Sequence, residues 1–126
     1  MTIAEVSKAY DISADTLRYY ERVGLIPAVP RTAGGIRNYD EASCRWIQFA
    51  KCMRGVGIPV EALVSYVAMC QQGDATHEAR KQLLIDQRAR LQAQLEEIQA
   101  ALQRLDHKIE HYEQWSRTPN FTQQKE

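Results

Sequence analysis

In "WIQFAKCMRGVGIP", residues 46–59, a thiol sits among basic residues: Lys51 precedes Cys52 and Arg54 follows it. Three chemistries suit such a cysteine. It can be packing material, a soft metal ligand, or a nucleophile whose thiolate attacks an electrophilic carbon or a disulfide. Neighbours one or two places away do not share a helix face, so the flanking charges alone do not decide between these. Cys44 and Cys70 are the other thiols. Cys44 falls in the first turn of a helix beside Arg45, and suits either a lowered pKa or a semi-buried filler. Cys70 follows Leu63, Tyr66 and Val67 at helical spacing and reads as core packing. Three cysteines form no recognisable disulfide framework, which suits a reducing, cytoplasmic setting.

Metal and catalytic chemistry find less support. His107 and His111 lie four apart, but at outward heptad positions, as a solvated pair would. His77 reads as structural or exposed. An iron–sulfur site needs about four cysteines, more than this chain has. No glycine-rich phosphate loop, carboxylate pair or nucleophile–base arrangement is present, so an enzyme and a resident cofactor are not expected.

The 126 residues carry no net charge, yet the charge is unevenly placed. Between Thr16 and Arg54 there are seven basic residues and three acidic ones, a local excess of about four, as a nucleic-acid face would have. The start, "MTIAEVSK", lacks the apolar core of a signal peptide, and no run is long enough to cross a bilayer.

Five helices are expected to position these groups. Thr2 and Glu5 have capping-box spacing, opening a helix over Ile3–Tyr10. After the turn at Asp11-Ile12-Ser13, Ser13 caps "ADTLRYYERVG", which stops at Gly24. The pair reads as a helix-turn-helix. At 100° per residue, Leu17 and Tyr20 face the core, while Asp15, Arg18, Tyr19 and Arg22 face out, suited to a major groove. "LIPAVPRTAGGIRNYD" reads as a small β-hairpin wing carrying Arg31, Arg37 and Tyr39. Asp40 caps a third helix to about Val56. Pro59 takes the first position of a fourth, which runs to about Gln72.

The fifth helix is expected over Ala75–Trp115, about 60 Å long. Leu91, Leu95, Ile98, Leu102, Leu105, Ile109 and Tyr112 alternate spacings of four and three, a heptad seam that a second copy of the chain would cover. The expected organisation is a reading domain over 1–73, a coiled-coil helix over 74–115 and a polar tail over 116–126. The fold class is mainly α: a winged helix-turn-helix followed by a dimerisation helix.

"IAEVSKAYDISADTLRYYERVGLI", "RTAGGIRNYD" and "WIQFAKCMRGVGIPVEAL", in that order, resemble the MerR family of bacterial transcription regulators. The resemblance runs to about Gly73 and takes in the long helix. It implies a homodimer joined by an antiparallel coiled coil that distorts double-stranded promoter DNA for RNA polymerase. It also implies Arg18 and Tyr19 facing DNA with Thr16 close by at the helix start, Arg37 and Tyr39 as wing contacts and Arg54 as a backbone contact, beside Arg22 and Arg31, which the helix face and the basic hairpin already suggest. "FAKCMRGVGIPVEAL" with "GDATHEARKQLL" resembles the thiol-sensing AdhR/NmlR-type branch. That likeness makes Cys52 the sensor of aldehydes and other electrophiles and the targets detoxification genes, with Cys44 or Cys70 as possible further participants. The metal-sensing branch carries cysteines where this chain has "GDATHEARKQ" and a cysteine-free tail. Two other readings stay open: a MerR-type regulator of a metal ion or non-covalent ligand, and a coiled-coil interaction protein that leaves DNA alone.

Overall fold

The computed structural model describes residues 1–112. Helix α1 (Ile3–Tyr10) opens on the expected capping box: Thr2 Oγ1 accepts the Glu5 N–H at 3.2 Å, and Glu5 Oε1 accepts the Thr2 N–H at 2.7 Å. It closes at Asp11, which takes the left-handed conformation at φ +53°. Ser13 Oγ caps α2 (Ala14–Val23) by accepting the Thr16 N–H at 3.0 Å. Gly24 ends that helix at φ +87°, a left-handed stop that a side chain would strain. The two helices pack together as a helix-turn-helix.

The segment expected as a wing hairpin is a tighter structure. One antiparallel bridge, Arg31 to Arg37, closes it, and the described residues contain no strand. Thr32 N–H donates to the Ile36 carbonyl at 2.7 Å, and Asn38 N–H donates to the Pro30 carbonyl at 2.7 Å. The pairing stops there because Pro30 has no N–H to give to a further rung. The two-stranded wing is therefore corrected to a single-bridge loop.

Asp40 caps α3 (Glu41–Gly55), its Oδ1 accepting the Ser43 N–H at 2.8 Å. Pro59 is the N-cap of α4 (Val60–Gln72) rather than its first residue. A 3-10 turn, Asp74–Thr76, precedes α5 (His77–Glu110), so the last helix begins two residues later than expected. Trp115 and the tail 116–126 lie outside the described residues.

Met1–Gln87 is one compact unit; a second begins at Arg88, within α5. In the first unit Val6, Leu17 and Ile47, one from each of α1, α2 and α3, are fully buried. Leu63 and Val67 of α4 join them. Burying each such side chain stabilises the unit by about 1.5–3 kcal/mol before entropy is counted. A core of this kind holds the outward faces of α2 and α3 in place. Among the described residues, no helix is long and apolar enough to cross a membrane.

Candidate nucleic-acid interface and thiol sites

On α2 the apolar side goes in and the charged side goes out. Leu17 and Tyr20 are buried, while Asp15, Arg18, Tyr19 and Arg22 are exposed. Arg18 Nη1 meets Asp15 Oδ1 at 2.9 Å, three residues away on the same helix. Arg22 lies over the Tyr19 ring, 5.5 Å from its centre. Such exposed local pairs are worth little, so a phosphate or base edge can replace them cheaply. Thr16 sits half-buried at the helix start, its Oγ1 accepting the Ser13 hydroxyl at 2.8 Å.

The loop places its arginines unequally. Arg31 is exposed and donates from Nη1 to the Gly35 carbonyl at 2.9 Å, bracing the turn. Arg37 instead turns back to α2, where its Nε donates to Glu21 Oε1 at 2.7 Å. Glu21 Oε2 accepts the Val29 N–H at 2.8 Å. Burial pushes the Glu21 carboxyl upward, but the Arg37 and Val29 hydrogen bonds outweigh it and hold the carboxyl below its ordinary range. Its hydrogen bond to Glu21 in turn raises Arg37 further above its usual value.

Tyr39 departs from the expectation. It is 1 % exposed, and its hydroxyl is buried with no hydrogen-bond partner among the described residues. Its backbone N–H donates to the Met1 carbonyl at 2.8 Å, and its carbonyl accepts from the Met1 ammonium at 2.8 Å. Those bonds turn the side chain into the core, so it offers DNA no surface in this conformation. Arg54 is exposed at the end of α3, where its Nη1 donates to the Ile58 carbonyl at 2.6 Å and braces the α3–α4 turn.

The three thiols have three settings. Cys52 is exposed, Cys44 is buried and Cys70 is half-buried. Cys52 lines an open depression of about 640 Å³ between α3 and the end of α1, with Tyr10, Asp11, Gln48, Lys51 and Val56. Lys51 crosses that depression, its ammonium donating to the Tyr10 and Asp11 carbonyls. Cys44 lies against the Tyr10 hydroxyl, and this contact raises the Tyr10 pKa. Cys70 accepts a long hydrogen bond from Arg80 Nη1 at 3.8 Å.

The histidines form no site with these groups. The rings of His107, near the end of α5, and His111, just beyond it, lie 4.5 Å apart, and His77 is exposed beside Glu78. No group of three or more potential metal ligands occurs among the described residues.

Two family profiles match the chain. "MerR family regulatory protein" covers residues 2–39 and "MerR, DNA binding" covers residues 44–108. The chain belongs to the MerR family. It is a DNA-binding transcriptional regulator of that family. It is 55% identical over 91 residues to the HTH-type transcriptional regulator AdhR of Bacillus subtilis. That match takes in 72% of this chain and 65% of AdhR's own length. A crystal structure of a MerR family regulator from Listeria monocytogenes superposes with a TM-score of 0.87 at 44% identity, covering 90% of this chain and 86% of that one. The structure of HiNmlR, a MerR family regulator lacking the sensor domain and bound to promoter DNA, superposes at 0.82 with 28% identity and 91% coverage of both chains.

The expected seam runs along α5 and just past its end to Tyr112. Leu95, Ile98, Leu102, Leu105, Ile109 and Tyr112 are 47% to 70% exposed, and Leu91 is half-buried. Two roles escaped the sequence reading, that of Glu21 and the bond of Lys51 to the end of α1. Glu21 had a signal: it stands four residues after Leu17, on the same inner face, where a carboxylate needs a partner.

Proposed function

We propose that this MerR-family regulator binds promoter DNA as a homodimer and responds to electrophiles such as aldehydes through the thiol of Cys52. One observation carries the choice of residue: of the three cysteines, Cys52 is the exposed one, and it opens into a depression wide enough for a small carbonyl compound. The likeness to AdhR supports the same branch. The Cys52 thiolate adds to the carbonyl carbon of the aldehyde. A sulfur–carbon bond forms, the π pair moves to oxygen, and the oxygen takes a proton from water to give a hemithioacetal.

The adduct adds bulk where Lys51 ties α3 to the α1–α2 turn. A change there reaches the recognition helix directly, because Ser13, two residues beyond Asp11, caps α2. The reading domain spans 1–73 in this proposal, with Thr16, Arg18, Tyr19, Arg22, Arg31, Arg37 and Arg54 facing the duplex. The seam of α5 pairs with that of a second chain, because water-exposed leucines and isoleucines at heptad spacing favour a partner helix; the antiparallel sense is what the likeness to the MerR family implies. The dimer distorts the promoter so that RNA polymerase can open detoxification genes.

The test is transcription in vitro from the cognate promoter, with wild type and Cys52→Ser, with and without methylglyoxal. The reading requires that wild type activates on treatment while Cys52→Ser binds DNA and stays silent. An equal response from Cys52→Ser removes Cys52 as the sensor.

A further inference from the structure

Glu21 is an acid on the helix whose outer face has to meet phosphate. Simple electrostatics counts it as a liability, since a carboxylate near a duplex repels it. The geometry points to another role. Its two oxygens go in different directions, Oε1 to Arg37 Nε and Oε2 to the Val29 N–H. Val29 lies before the bridged loop and Arg37 closes it, so one side chain of α2 holds both legs of the loop. The pair is shielded, with the Glu21 side chain 13% exposed and that of Arg37 26%. Charge-assisted bonds of this length in a shielded site are the strong class of hydrogen bond and fix orientation as well as distance.

We propose that Glu21 is a positioning residue for DNA recognition: it clamps the loop onto the recognition helix, so that the Arg37 guanidinium and the Arg18–Tyr19 face meet one duplex at a fixed spacing. The proposal rests on the DNA-binding reading above. With Nε taken by Glu21, the η nitrogens of Arg37 remain to meet a phosphate. Arg31 stands on the opposite leg of the same loop, so the clamp sets its height as well.

The sign of one effect separates this role from simple repulsion. The probe is a duplex enriched by the wild-type chain from a random-sequence pool, beside an unrelated duplex of equal length. Glu21→Gln keeps the length, removes the charge and presents an amide N–H to one of the two donors. The clamp requires binding to the enriched duplex to weaken about tenfold, with the unrelated duplex bound as before or tighter. Arg37→Gln weakens the enriched duplex similarly, and the double variant is no weaker than the weaker single one, because both remove the same contact. For both, the slope of log affinity against log salt falls by about one phosphate per protomer.

Tighter or unchanged binding of the enriched duplex by Glu21→Gln overturns the proposal, and so do fully additive losses. If Glu21→Gln does not melt cooperatively, Glu21→Asp takes its place. It keeps the charge but is too short to span both donors, so it must lose discrimination; full discrimination by Glu21→Asp also overturns the clamp. A wild-type chain that enriches no duplex fails earlier, at the DNA-binding reading itself.

Discussion

Lys51 of α3 closes the end of α1: its ammonium donates to the Tyr10 carbonyl and, at 3.4 Å, to that of Asp11. A cation at a helix C-terminus satisfies carbonyls that the helix leaves unpaired and complements the negative end of its dipole. The contact joins residues 41 apart in sequence and lies one residue from Cys52. Lys51→Met should cost about 0.5 kcal/mol, a drop of a few degrees in Tm. If the contact relays the state of Cys52, the variant should still be modified by methylglyoxal, shown by intact mass, yet give a weaker transcriptional response. An undiminished response would leave Lys51 a helix cap only.

The order of thiol modification follows from exposure. Limiting N-ethylmaleimide on the native chain should modify Cys52 first and Cys44 last, with Cys70 between them. In denaturant the order should collapse, because burial and not sequence protects Cys44. Peptide mass mapping over time reads this directly. Early labelling of Cys44 in native conditions would contradict the packing of α3 on α1.

Acid should weaken the loop clamp. Hydrogen bonds and charge hold the Glu21 carboxyl lower in the folded chain than in the unfolded one. The stability it contributes is therefore fully present above the unfolded value and lost as pH falls through the folded value. The gap in urea midpoint between wild type and Glu21→Gln should be widest near neutral pH and narrow below about pH 4. A gap independent of pH would mean that the carboxylate's charge contributes nothing.

Tyr39→Phe removes a hydroxyl that is buried with no partner among the described residues. Burying an unpaired hydroxyl costs about 1–3 kcal/mol, so the variant should be as stable as wild type or more so. It should also bind DNA as wild type does, since the ring is 1 % exposed. A drop in affinity with no loss of Tm would show that the hydroxyl turns outward in the complex.

What could be read from sequence was local. Capping at Thr2, Ser13 and Asp40 runs over three residues, and each cap is where its side chain required it. The outward face of α2 followed from one periodicity, and so did the exposed stripe on α5. The loop was harder. A hairpin reading of Arg31 to Tyr39 assumes alternating sides, and alternation lapses when Pro30 ends the pairing after one bridge. Tyr39 then follows its backbone bonds to Met1 and turns inward. Glu21–Arg37 and Lys51–Tyr10 are tertiary contacts, 16 and 41 residues apart, that no local rule specifies. Exposure of the thiols was settled by packing: Cys44 and Cys52 share α3, yet one faces the core and the other water.

The apolar stripe of α5 bears on how long a solitary chain survives. Five large side chains on the helix, Leu95 to Ile109, and Tyr112 just beyond it are exposed to water. Quality-control chaperones and proteases bind surface of that kind, and a chain showing it is cleared faster than one whose stripe is covered. If the stripe pairs with that of a second chain as proposed, pairing lengthens lifetime as well as assembling the regulator. Chains left unpaired would be removed sooner, so the cell's stock would consist mainly of paired ones.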